Sequence, residues 1–209
     1  MPTVVQVIDT ITEWAQAEIC SKIRLKMPPE DDTESNAADY NYTQIEPTSF
    51  SLFIPTKDKL PPSVLSPIPS LCVRVIGGAD DLTDNSGTIN IEFALSTWST
   101  GTHGKDIVIP DKTNPLHFTE ISAEEAKGYF EKNSDGWRDC WNWIDTALRV
   151  IESNGSIMGI QIDRGTPITY GPFTEQEGIP DFYPFWFAWI RFAVKRPLVR
   201  NIRDYAEYL

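Results

Sequence analysis

Apolar residues recur every three or four positions in two stretches of the chain, and this is the spacing of an amphipathic helix. The first stretch carries Val4, Val7, Ile8, Ile11, Trp14, Ala15, Ile19 and Ile23. The second carries Trp137, Cys140, Trp141, Ile144, Leu148 and Ile151. We predict a first helix of roughly 20 residues that Pro28-Pro29 ends. The second helix is predicted to have Ser134 or Asp135 as its N-cap and Gly155 past its end.

Alternation of apolar and polar residues predicts strands elsewhere. Ile89, Ile91, Phe93 and Leu95 lie on one face of the clearest alternating run. The run 71–76 precedes it and ends at Gly77-Gly78 and a polar turn, so the two runs are predicted to form strands joined by a turn. The run 50–54 is flanked by prolines, which favours a strand at the edge of a sheet. Shorter runs at 107–109, 157–162 and 167–170 predict further strands.

The most apolar segment, 185–194, is apolar at nearly every position, so both of its faces are expected to be covered. A central strand beneath the helices is one arrangement that covers it. A surface stripe that a partner subunit covers is another. The two arrangements are compatible if the strand continues past the edge of the fold. After it, Pro197 is predicted to open a basic, polar tail with a short helix from Leu198 onward.

Composition and charge narrow the possible functions. A chain of 209 residues that is 41% hydrophobic can bury the core of one domain, and no stretch has the length of a membrane-spanning helix. We also expect no signal peptide. The 18 basic and 30 acidic residues give a net charge of −12, which disfavours general nucleic-acid binding but allows DNA to pass along an acidic surface.

Few residues have the types and spacing that catalysis needs. The only histidines, His103 and His117, lie in an irregular region, and the chain has no phosphate loop, nucleophile elbow or zinc-binding helix motif. Cys20, Cys72 and Cys140 are far apart and are predicted to be buried, inert thiols, which favours a reducing compartment. We therefore expect no enzymatic activity, no cofactor and no metal. The alternative is a cation-dependent hydrolase built on the acidic residues 80–84.

Three short motifs, in order, resemble those of tail terminator (tail completion) proteins of long-tailed phages. They are Pro69-Ser70-Leu71-Cys72-Val73-Arg74-Val75 before a strand, Gly136-Trp137-Arg138-Asp139 at the start of a helix, and Tyr183-Pro184-Phe185-Trp186 before the final apolar strand. The resemblance runs from about residue 3 to 196. The segments 30–68 and 99–134 are longer than the pattern requires and are interpreted as insertions, and 197–209 as a C-terminal tail, within one domain.

The resemblance implies an α+β domain with helices packed on one face of an antiparallel or mixed sheet. It also implies a structural virion protein, assembled in the host cytoplasm, that forms a ring of six copies. Such a ring caps the tail tube, stops its polymerisation and joins the tail to the head–neck connector. The implied partners are further copies of the chain, the tube protein, the sheath protein of a contractile tail and the connector or stopper proteins. DNA passes through the centre only as cargo, and no membrane is involved.

Two other functions stay open: a neighbouring neck ring (head–tail connector or stopper), and a monomeric binding module that presents the 99–134 loop to a soluble ligand. For the ring, candidate interface residues are aromatic, acidic or basic. They are Trp137, Trp141, Trp143, His103, Asp31, Asp32, Arg196, Arg200 and Arg203. The three tryptophans are expected to share a helix face. The arginines are expected to pair with Asp31 and Asp32 of an adjacent copy.

Overall fold

The structure of the chain is a computed structural model that describes residues 3–28, 43–99, 108–110, 118–120, 136–175, 178–180 and 182–197. Helix α1 spans Val4–Glu18 and begins with a capping box, in which the Thr3 hydroxyl accepts from the Gln6 N–H and the Gln6 side chain accepts from the Thr3 N–H. The helix is shorter than predicted: it ends at Glu18, well before Pro28-Pro29, because a 3₁₀ turn, Cys20–Lys22, follows between Ile19 and Ile23.

Helix α2 spans Trp137–Ser153, close to the predicted range. Gly136 occupies the N-cap position and makes no side-chain capping hydrogen bond. The predicted caps Ser134 and Asp135 lie outside the described residues. At the other end Asn154 is the C-cap, and Gly155 follows it as predicted.

The strands form one five-stranded sheet and three small two-stranded pairs. In chain order they are β1 Leu25–Lys26, β2 Gln44–Ile45, β3 Thr48–Ser51, β4 Ser70–Asp81, β5 Ser86–Trp98, β6 Val108–Pro110, β7 Phe118–Glu120, β8 Ser156–Ile157, β9 Ile160–Gln161, β10 Thr169–Pro172 and β11 Phe185–Pro197. The large sheet has the order β10-β11-β5-β4-β3. Its pairs are antiparallel except β3 with β4, which is parallel. The proline-flanked strand β3 lies at an edge, as predicted.

Both helices pack on the same face of this sheet. In the register of the three long strands, Phe93 of β5 lies between Val73 of β4 and Ile190 of β11, and all three side chains are buried in the core that includes α1 and α2. Phe93 also meets Phe192 edge to face, with 5.0 Å between the ring centroids. The expected α+β class, with a mixed sheet and helices on one face, is confirmed.

The strands β4 and β5 run farther than the sequence predicts. We expected β4 to end at Gly77-Gly78, but the strand continues to Asp81 after a bulge between Val75 and Gly77. A side chain on Gly78 would put its Cβ 2.9 Å from the Thr88 carbonyl oxygen, so this glycine permits close strand pairing and does not form a turn. The residues 76–84 are exposed, and we call the paired segment 77–90, which begins where Gly77 pairs with Asn90, the arm.

One face of the last strand lies beneath the helices, as in the first arrangement proposed for the apolar segment, and cover of its other face by a partner subunit stays a prediction. The residues of β11 that face the helices, including Ile190 and Phe192, are buried. On the opposite face Phe187 and Trp189 are half-buried and no described helix covers them. The strand also extends to Pro197, which pairs with Ser86, so Pro197 ends a strand where we expected it to begin a tail. The expected helix from Leu198 lies outside the described residues.

The three cysteines are buried and unpaired, as predicted. Burial raises the pKa of Cys20 and Cys140 to about 12, and that of Cys72 to about 11. In the acidic turn, the Asp81 carboxylate accepts hydrogen bonds from the backbone N–H groups of Thr83 and Asp84, which lower its pKa. Within the described ranges, no three His, Cys, Asp or Glu side chains converge as metal ligands would, and no helix is long and apolar enough to cross a membrane.

Candidate functional site: an aromatic groove on the helix-free sheet face

The sheet face opposite the helices carries a groove of about 940 Å³. Its floor comes from β4, β5 and β11, and its walls come from the chain after β3 and from the segment between β10 and β11. The side chains that define it, which we call the aromatic groove, are Ile54, Ile76, Phe173, Phe182, Phe187 and Trp189, together with Arg74, Glu92 and Arg191. The floor side chains lie on one face of the sheet because residues that are directly opposite one another on neighbouring antiparallel strands share a face.

Three charged side chains meet on the floor of the groove. Arg74, Glu92 and Arg191 lie side by side on β4, β5 and β11. Glu92 is only 3% exposed. It accepts a hydrogen bond from the Arg191 Nε at 2.7 Å and another from an Arg74 Nη. One buried carboxylate thus fixes two guanidinium groups, and the cluster carries one net positive charge in a chain of net charge −12.

The position of Arg191 is fixed from a second side by Trp189. The guanidinium carbon of Arg191 lies 4.3 Å from the centroid of the indole ring, which is cation–π geometry. The indole Nε1 donates to the Pro172 carbonyl at 2.9 Å. Opposite it on β10, Gly171 leaves the space the ring needs, because a Cβ there would lie 3.2 Å from the indole. The glycine, the indole and the guanidinium therefore form one packed stack.

A second, smaller cleft of about 290 Å³ lies beside the aromatic groove, between the start of α2 and the segment 172–187. Trp137 and Trp141 of α2 line one side of it. The cleft shares Phe173 and Phe182 with the groove, so the segment before β11 contributes aromatic side chains to both hollows. Phe182 meets Phe187 edge to face, with centroids 5.7 Å apart. These contacts make one nearly continuous aromatic surface.

The structure separates the three tryptophans that we expected on one face of a helix. Trp137 is 41% exposed and Trp141 is half-buried beside the smaller cleft. Trp143 is fully buried in the core, between the helix and the sheet. It lies two residues beyond Trp141, and a rotation of about 100° per residue turns it to the other side of the helix. Trp143 is therefore a core residue, and only the other two can contact a partner.

Arg196 is engaged within its own chain. Its guanidinium lies 3.7 Å from the Asp80 carboxylate on the arm. This pair competes with the expected contact between Arg196 and the acidic residues of an adjacent copy. The remaining interface candidates lie outside the described residues; they are His103, Asp31, Asp32, Arg200 and Arg203.

The sequence interpretation missed the charged cluster, although a signal for it was present. Arg74, Glu92 and Arg191 are each the single charged residue in the central part of a largely apolar strand. Burial of a lone charged side chain costs folding free energy unless an oppositely charged partner lies beside it. Three such residues on three strands that pair with one another are therefore expected to meet, and the two strand runs joined by a turn already indicated the first pairing.

The aromatic groove offers a definite kind of recognition. Its apolar walls favour aliphatic or aromatic groups, and its two fixed guanidinium groups favour a carboxylate beside them. No model of a known protein family matches the chain, and no curated protein is significantly similar to it. The groove and its surroundings are thus the main structural basis for an assignment of function.

Proposed function

We propose that this chain is a structural subunit of the tail-terminator kind. Six copies form a ring that caps the tail tube of a long-tailed phage or phage-like particle, stops its polymerisation and joins it to the head–neck connector. The proposal rests on the order of the three motifs that resemble this family. The structural observation that carries it is the aromatic groove on the helix-free face of the sheet.

A large apolar hollow on one face is what ring assembly needs. Contiguous apolar patches on monomeric proteins are usually small or functional, because exposed apolar surface favours association. A closed ring uses heterologous contacts, in which one surface of a subunit meets a different surface of the next. The aromatic groove and the adjoining cleft provide one such surface. The exposed arm on the same sheet provides a second, distinct one.

The fold class and the net charge of the chain are both consistent with this proposal. The α+β architecture, with both helices on one face of a mixed sheet, is the class of fold that the resemblance implies. A net charge of −12 per chain makes a ring of such chains strongly acidic. An acidic surface repels DNA, so this net charge allows DNA to pass through a ring without adhering to it. The proposed partners are accordingly the tube protein, the sheath of a contractile tail and the neck proteins.

A tube-capping assay tests the function directly. The tube protein that the proposal implies as a partner is polymerised alone and with increasing amounts of the chain, and tube lengths are measured by negative-stain electron microscopy. We expect shorter tubes with a ring of density at one end. As a matched control, Glu13→Gln, an exposed change on α1, is expected to cap as the wild type does. Tubes of unchanged length and bare ends would reject the proposal.

The same assay separates a terminator from a connector or stopper, the neighbouring ring of the neck. A connector or stopper ring does not sediment with tubes, whereas a terminator sediments with tubes in proportion to the number of tube ends.

A further inference from the structure

The exposed tip of the arm complements the aromatic groove in both shape and charge. Leu82 at the tip is 85% exposed, the largest exposed fraction among the large apolar side chains that the structure describes. Asp81 and Asp84 flank it. Within the described residues neither carboxylate has a basic partner, whereas Asp80 is paired with Arg196. The tip thus presents one apolar group between two carboxylates.

The tip is also an ordered element. The Asp81 carboxylate accepts from the Thr83 N–H at 2.8 Å and from the Asp84 N–H at 3.2 Å, which fixes the turn. Asn85 takes the left-handed conformation, with φ of 54°, that this tight connection requires. A preorganised tip loses little conformational entropy when it binds.

The arm cannot reach the groove of its own chain. Arg74 and Leu82 are eight residues apart on the same extended strand and turn, which corresponds to about 25 Å at the rise of a β-strand. The strand β5 pairs with β4 along this length and with β11 as far as Ser86, so the arm is held straight. The groove that the tip can enter is therefore that of another molecule.

We propose that the tip of the arm of one copy inserts into the aromatic groove of the next, with Leu82 against the apolar walls and the Asp81 and Asp84 carboxylates beside Arg74 and Arg191. The contact joins two different surfaces, so repetition of it in one direction closes a ring when the rotation between subunits divides a full turn. This inference rests on the proposed function and supplies the subunit contact of the ring.

Cross-linking between two variants tests the contact. Leu82→Cys at the tip is mixed with Ile76→Cys, whose side chain lines the groove and is 48% exposed, and a short bismaleimide joins thiols that come close. The native thiols are buried and do not react under these conditions. We expect a cross-linked dimer of the two variants. The matched control replaces Ile76→Cys with Val5→Cys on α1, which is 65% exposed and should give little product.

A binding measurement gives a second readout. We expect Leu82→Ser and Asp84→Lys each to weaken self-association at least about tenfold, as measured by sedimentation equilibrium. Asp9→Lys makes the same change of charge on the exposed side of α1 and should leave self-association unchanged. Circular dichroism confirms folding of each variant, and the tip side chains carry no packing that the fold needs.

Each result is decisive for this contact. If the wild type self-associates while the tip variants behave as their controls do, the tip-in-groove contact is wrong and the capping assay still decides the proposed function. If the wild type stays monomeric at every concentration, the contact is also wrong. If the chain nevertheless caps tubes, it forms its ring through another interface, so the proposed function stands and only this inference is wrong.

Discussion

The buried carboxylate of Glu92 offers the sharpest test of how the helix-free face is held together. Glu92→Gln keeps the shape of the side chain but removes its charge. The amide oxygen can still accept from one arginine, whereas the NH₂ group faces the other. Hydrogen bonds to charged groups contribute about 1.5–3 kcal/mol each, but both arginine side chains are 47% exposed and regain hydration. We therefore expect a loss of about 2–3 kcal/mol of unfolding free energy.

Urea unfolding followed by circular dichroism measures this loss. For a chain of this size it corresponds to a fall in Tm of about 4–12 °C. Glu13→Gln, at an exposed position on α1, should change stability by less than about 0.5 kcal/mol. A loss below about 0.5 kcal/mol for Glu92→Gln would refute the view that this carboxylate joins the three strands.

Replacement of the whole cluster separates its role in stability from its role in recognition. The triple variant Arg74→Met, Glu92→Leu and Arg191→Met leaves no buried charge without a partner. Apolar replacements of buried ion clusters are often neutral or stabilising, so we expect stability within about 1 kcal/mol of the wild type. The groove then loses its positive charge, and self-association should weaken. A triple variant less stable than Glu92→Gln would contradict this explanation.

Three further predictions follow from the packing. Gly171→Val should displace the Trp189 ring and cost about 1–3 kcal/mol, with a change in near-UV circular dichroism; an unchanged spectrum would contradict the stack. Trp143→Ala should lower the free energy of unfolding in urea by about 3–5 kcal/mol, whereas Trp137→Ala at the surface should lower it by less than about 1 kcal/mol. Equal losses for the two variants would contradict the assignment of Trp143 to the core. The pKa of the Cys140 thiol is near 9 in the unfolded chain and about 12 in the folded chain, so the free energy of unfolding should fall as the pH rises from about 9 towards 12. Cys140→Ser should make the free energy of unfolding, measured with urea at several pH values, depend less steeply on pH in this range.

Local patterns predicted the elements because each pattern reflects a face that must be buried. The stripe at three-and-four spacing gave both helices, and the alternation of Ile89, Ile91 and Phe93 gave the central strand of the sheet. Boundaries were less predictable, because tertiary pairing overrides local signals. Gly77-Gly78 is a typical strand end in sequence, yet pairing with β5 carries β4 through it.

The candidate site was only partly predictable. The apolar segment 185–194 indicated a second face in need of cover, and the tryptophans at the start of α2 indicated aromatic surface. The position of Trp143 depends on which side of the helix meets the sheet, and this is decided by the packing of the whole domain. The cluster around Glu92 depends on the register of three strands, two of which are about 100 residues apart in sequence. No local pattern specifies that register.

Native mass spectrometry of the full chain over a range of concentrations tests self-assembly most directly. We predict a discrete species of six copies that dissociates to monomers in the Leu82→Ser variant and persists in Asp9→Lys. A chain that is monomeric at every concentration, both alone and in the presence of tube protein, would contradict the proposal that it functions as a ring.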